Sequence, residues 1–161
     1  MFRRMVVLVI VFGLFITVFA AKKISHFSGE WSLDTEKSDV SEMQLYLLNI
    51  SVEATKDSLL TARVYSTESG EWFPFDENVS LDGTVLEHVI FDMPRKVSAV
   101  AENKGANIVV NSTTTFYGNS GEVDILIKET WSVDKKDKIL TIDFVTTWPD
   151  GEATQTLYYK K

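Results

Sequence analysis

An alternation of apolar and polar residues, recurring in short runs from residue 27 to the end, limits what this chain can fold into more than any other feature. Its cleanest instance is Val123, Ile125, Ile127, Glu129, Trp131 and Val133. Side chains two apart share one side of an extended strand, so this spacing predicts strands and not helices. Turn-forming clusters separate the runs, among them Lys56-Asp57-Ser58, Glu68-Ser69-Gly70, Asn103-Lys104-Gly105 and Pro149-Asp150-Gly151. Counting the runs predicts an all-β chain of about eight to ten strands with short links, an up-and-down antiparallel meander closed into a β-barrel, with a sandwich as the alternative.

Several local expectations follow from the same count. Leu48, Ile50, Val52 and Ala54 share one face of a strand over 45–54, whereas over 59–67 apolar residues occur on both faces, with Leu59, Arg63 and Tyr65 opposite Leu60, Ala62 and Val64. Trp72-Phe73-Pro74-Phe75 suits an edge, a bend or a loop over a cavity mouth, because proline cannot donate to a central ladder. Asp82-Gly83 predicts a hairpin turn, and Met93-Pro94-Arg95 predicts a break between the strand over 84–91 and the next one. Asp34 to Asp39 reads as a polar loop with room for one helical turn.

The N-terminus has a different character. Arg3 and Arg4 precede a charge-free run from Val6 to Ala21, and Lys22 and Lys23 follow. That order predicts a secretory signal helix over 1–20, cleaved after Ala20 with Ala21 as the alternative, then a linker over 21–26 and one barrel domain over 27–161. The expected localisation is export, periplasmic or secreted, without stable membrane insertion after cleavage; an uncleaved membrane anchor is the competing reading. Removing Arg3 and Arg4 leaves 14 basic against 23 acidic residues, a formal charge of −9. Such a surface argues against nucleic acid as a partner. With no cysteine, the chain has no disulfide, thiol nucleophile or cysteine-linked lipid. Asn49, Asn78 and Asn111 each begin an Asn-x-Ser/Thr pattern, a glycosylation acceptor if the host is a eukaryote or else a short match expected by chance in a β protein rich in Ser and Thr.

The run Phe27-Ser28-Gly29-Glu30-Trp31-Ser32-Leu33-Asp34, completed by Lys37-Ser38, resembles the Phe-Ser-Gly-x-Trp-x-Leu-Asp-x-x-Lys-Ser signature that opens a family of secreted bacterial lipocalin-like proteins. Glu129-Thr130-Trp131-Ser132, Leu140-Thr141-Ile142 and Thr154-Gln155-Thr156-Leu157-Tyr158-Tyr159 extend the resemblance. It implies a calycin-type barrel with a cavity for small apolar molecules. By the Gly-x-Trp motif it also implies structural roles for Gly29 and Trp31, the indole closing one end against a basic residue from a late strand. Only Lys160 and Lys161 are available for that contact, and the Thr-Asp-Tyr motif of wider lipocalins is missing.

Glu129 stands out because it shares a face with Ile125, Ile127 and Trp131. A carboxylate among inward residues needs a partner or water. Arg63 and Arg95 are candidate partners, and Glu129 is thereby a candidate head-group anchor or half of a structural ion pair. Arg63 is also a candidate ligand-binding residue in its own right, by analogy with intracellular fatty-acid carriers of similar barrel shape. Trp131, Phe144 and Trp148 have inward parity on neighbouring strands and complete the candidate ligand-binding set. His26 and His88 are isolated in sequence, no Gly-x-Ser-x-Gly elbow or phosphate-binding glycine loop occurs, and neither catalytic residues, a metal site nor a cofactor is expected. The expected function is non-catalytic binding of a small hydrophobic or amphipathic ligand inside the barrel. The alternative is a packed barrel acting as an envelope module, in which the Trp72–Phe75 segment meets an unidentified protein partner.

Overall fold

The computed structural model describes residues 24–41, 43–118 and 121–161; the expected signal over 1–20 and the first half of the linker lie outside them. Ten strands form one antiparallel sheet: β1 (Gly29–Leu33), β2 (Leu45–Ala54), β3 (Ser58–Thr67), β4 (Trp72–Ser80), β5 (Leu86–Ile90), β6 (Met93–Glu102), β7 (Asn107–Gly118), β8 (Gly121–Asp134), β9 (Ile139–Trp148) and β10 (Gly151–Lys160). Their spatial order is β4-β3-β2-β1-β10-β9-β8-β7-β6-β5, so sequential neighbours pair everywhere except between β4 and β5, and β1 pairs with β10. The result is a nearly closed up-and-down barrel whose one unpaired seam lies between β4 and β5.

Three local expectations are corrected. Asp82-Gly83 turns the chain, with Thr84 N–H donating to Asp82 Oδ1, but builds no hairpin: Asp82 bridges to Val100, and Gly83 N–H donates to the Ala99 carbonyl at 2.9 Å, both on β6. The chain thus steps across the seam instead of closing it. The break near Met93 falls earlier, at Phe91 and Asp92, both in the left-handed region, and β6 runs straight through Pro94. Pro94 is tolerated because pairing of β6 with β7 begins only at Arg95, so a missing N–H there spoils no second ladder. Finally, the β2–β3 register slips between Leu47 and Asn49, and this bulge seals Leu47 in the core, which strict alternation from Leu48 does not give, with Leu48 half-buried against the same core.

Register and burial define the two faces. Inward positions in the lower half are sealed, including Trp31, Ile50, Leu59, Ile108, Leu140, Ile142, Leu157 and Tyr159. A short 3-10 turn over Ser25–Phe27 stoppers that end with the fully buried Phe27 ring. Trp31 Nε1 donates to the Phe27 carbonyl at 2.7 Å, and Lys161 Nζ sits 4.6 Å from the Trp31 ring centroid while donating to the Ser28 carbonyl at 2.8 Å. Gly29 has φ +137°, and a Cβ there would meet Lys161 Cε at 2.8 Å, so this crossing requires glycine. Lys161→Ala is expected to lower stability by about 1 kcal/mol, read as a few degrees in a thermal melt, with Lys161→Arg retaining most of it.

β1 is short, and its pairing with β10 spans only Ser32↔Lys160 and Leu33↔Tyr159. The loop that follows continues the closure with other groups. Asp34 N–H donates to the Tyr158 carbonyl, Ser38 Oγ accepts from Tyr158 N–H at 2.9 Å, and Gln155 Nε2 donates to the Asp39 carbonyl at 2.8 Å. The helical turn allowed for in this loop is a hydrogen-bonded turn on the Asp34 carbonyl, to Lys37 and Ser38 N–H.

Candidate functional site

Inward residues change character half-way along the barrel. Below lies the sealed apolar core; then comes a layer of charged and hydroxyl side chains; above, towards the end opposite Phe27, the inward face is apolar again but uncovered. The polar layer draws Thr61, Arg63 and Tyr65 from β3, Glu77 from β4, His88 from β5, Arg95 from β6, Thr114 from β7 and Glu129 and Trp131 from β8.

Two ion pairs organise it. Arg63 Nη1 donates to Glu129 Oε1 at 2.7 Å, and the other carboxylate oxygen accepts from Trp131 Nε1 at 2.8 Å. Arg63 also reaches Thr61 Oγ1 at 3.4 Å and the Tyr65 hydroxyl at 3.5 Å, with its guanidinium carbon 5.4 Å from the Trp131 ring centroid. Arg95 grips Glu77 with two bonds, Nε to Oε1 at 2.5 Å and Nη2 to Oε2 at 3.2 Å, and touches Thr114 Oγ1 with Nη1. His88 Nε2 lies 2.9 Å from Glu77 Oε1, and Arg63 Nε stands 4.0 Å from Glu77 Oε2, which joins the pairs into one network. All four charged side chains are buried, so each would be costly alone; mutual pairing is the condition of their presence.

The electrostatics follow from that pairing. Burial opposes ionisation of Glu77, but the Arg95 hydrogen bond and the charges of Arg63, Arg95 and His88 outweigh it and hold the carboxyl below its ordinary value. Burial likewise opposes the Arg63 cation, yet attraction to Glu129, helped by Tyr65 and Glu77, raises its pKa overall. Burial pushes the Tyr65 phenol up against the pull of Arg63. The layer thus sets two guanidinium groups against two carboxyl groups, each pair joined by hydrogen bonds.

Above this layer, inward positions are only partly covered. Phe73, Phe75, Val123, Ile125, Ile127 and Phe144 are half-buried, and Leu45, Phe116 and Trp148 are exposed although register turns them inward. Outward neighbours on the same strands, such as Asp124 and Lys128, are exposed for the ordinary reason. The upper inner wall is thus a mostly apolar bowl with a charge-paired floor, open at one end but filled in part by its own rings, since Phe91 meets Phe73 and Phe75 edge-on at 5.8 Å and Tyr65 stacks on Phe75. A separate open groove of about 490 Å³ lies on the outer face of the sheet, lined by outward residues including Lys96, Asn111, Leu126, Lys128 and Thr147.

The site residues read from the sequence fall at different depths. Glu129 and Arg63 meet each other; Trp131 is fully buried beneath them; Phe144 lies on the bowl wall and Trp148 at its rim; Gly29 and Trp31 belong to the stoppered end. Glu77 and His88 were missed as a pair. Parity shows Glu77 on the face of Phe75, Val79 and Leu81, the same signal that marks Glu129, but it is hidden when Trp72–Phe75 is read as a possible bend and the count is not carried through Pro74. His88 is isolated in sequence and gains Glu77 only across the seam. Among the described residues, no group of three or more His, Asp and Glu side chains is placed to hold a metal ion. Compared with protein-family models, curated proteins and solved structures, the chain finds no match.

Proposed function

We infer that this protein is an exported, non-catalytic carrier that holds a small hydrophobic or amphipathic molecule in the bowl of its barrel, and that it belongs with the secreted lipocalin-like proteins its N-terminal signature resembles. The observation that carries this reading is the mismatch between facing and burial in the upper half. Leu45, Phe116 and Trp148 point inward yet remain between 38 and 46 % exposed, while inward residues below the polar layer are sealed. An inner wall of that kind gains about 25 cal/mol for each Å² of apolar surface that a guest covers.

Native mass spectrometry of the mature protein from its own host, followed by extraction and identification of bound small molecules, tests this. A stoichiometric apolar compound is expected. Phe144→Ala and Trp148→Ala are expected to weaken its rebinding about tenfold each; Trp148 stands at the exposed rim, so its variant leaves the fold intact, whereas Phe144 also packs against the buried core and its variant loses some stability as well. Protein that is reproducibly bare and does not rebind extracted lipid would overturn the carrier reading in favour of a barrel that works through its surface, where Trp72, Val89 and Tyr117 are more than 60 % exposed.

A further inference from the structure

The polar floor discriminates among head groups. Its four charges cancel: Arg63 is matched by Glu129 and Arg95 by Glu77. His88 adds a positive charge only in its protonated form. Both oxygens of Glu129 and both of Glu77 already accept bonds. Donors, in contrast, are left over. Arg63 Nη2 makes no hydrogen bond to any of the described residues, although the Arg63 side chain is buried. The Tyr65 hydroxyl accepts from Arg63 Nη1 and, among the described residues, donates to no acceptor.

We propose that the head group received at this floor is an uncharged hydrogen-bond acceptor, an ester, ketone or amide carbonyl on an apolar body, held by Arg63 Nη2 and the Tyr65 hydroxyl. The inference rests on the carrier reading and specifies its ligand class. A fatty carboxylate is disfavoured because it would bring a third negative charge to a buried layer whose cations are already neutralised, and burying an uncompensated carboxylate is costly. The acidic surface, formal charge −9 for residues 21–161, acts in the same direction on approach. A pure alkane is disfavoured for another reason: it would cover two donors without satisfying them.

Decanoate, methyl decanoate and decane share a similar chain and differ at the head. Their affinities for the intact mature protein are measured by displacement of an apolar fluorescent dye. Methyl decanoate is expected to bind at least about tenfold more tightly than either of the other two. Glu129→Gln leaves Arg63 without its counter-charge, so decanoate is expected to gain about tenfold on the ester in that variant. Decanoate binding the parent protein as tightly as the ester, or decane doing so, would overturn the head-group assignment while leaving the carrier reading in place. If none of the three displaces the dye, the carrier reading itself falls. The comparison on the parent protein stands whether or not the variant folds.

Discussion

Glu77→Gln is expected to destabilise the protein by about 3–5 kcal/mol, a drop of about 10 °C or more in thermal midpoint for a domain of this size. The effect comes less from the bonds removed than from what remains, because Arg95 keeps its charge at 5 % exposure and faces a neutral amide with one acceptor oxygen and an NH2 donor in place of two carboxylate oxygens, and Arg63 loses the second anion near its Nε. Replacing both partners at once, Glu77→Leu with Arg95→Leu, is expected to cost less than either single change, since no unpaired ion is then buried. The seam adds to the consequence. Glu77 stands on β4, His88 on β5 and Arg95 on β6, so this carboxylate ties together the strands that share no backbone ladder across the gap. Amide exchange in β4 and β5 of Glu77→Gln is expected to rise more than in β8 and β9.

The same carboxylate sets an acid limit. Its pKa is lower in the folded chain than the ordinary glutamate value near 4.5, so ionised Glu77 favours the folded state fully above that value. The advantage is lost as pH falls below it, towards the depressed folded value. The gap in thermal midpoint between the parent and Glu77→Gln is therefore expected to shrink as buffer pH is lowered from about 6 to about 3.

Trp131→Ala is the second substitution of large expected effect, about 4–5 kcal/mol, read by chemical denaturation. Trp131 is fully buried, so truncation leaves a cavity the surrounding strands cannot close. It also takes away Nε1 from Glu129 Oε2 and the ring that faces the Arg63 guanidinium. Trp131→Phe separates the two contributions. The ring is largely kept and the hydrogen bond to a charged group is lost, for an expected cost of about 1.5–3 kcal/mol. A Phe variant as damaged as the Ala variant would mean that the bond to Glu129, and not packing, dominates this position.

Much of the barrel can be read along the chain because antiparallel strands joined by short turns have local grammar. Ile108, Val110, Ser112, Thr114 and Phe116 on β7, and Ala153, Gln155, Leu157 and Tyr159 on β10, show their common face at a spacing of two, and the structure places each set inward. The same spacing marks Glu129 as an inward carboxylate in need of a partner. Where reading failed, the deciding group was remote. Leu47 joins the core beside Leu48 because of a slip in pairing with β3, Asp82-Gly83 builds no hairpin because its partners are on β6, and Pro94 extends a strand because β7 starts its pairing one residue later.

Residue order alone therefore defines the strands, most of their faces, and the need of Glu129 for a counter-charge, since each depends on neighbours a few positions away. The selection of Arg63 as that counter-charge, 66 residues distant, needed the folded chain. So did the meeting of Glu77 with His88 and Arg95 across an unpaired seam, and the placing of Lys161 over Trp31. These depend on barrel closure and relative strand register, which bring distant positions to one level inside the barrel, and a period of two says which way a side chain faces but not what it will find there.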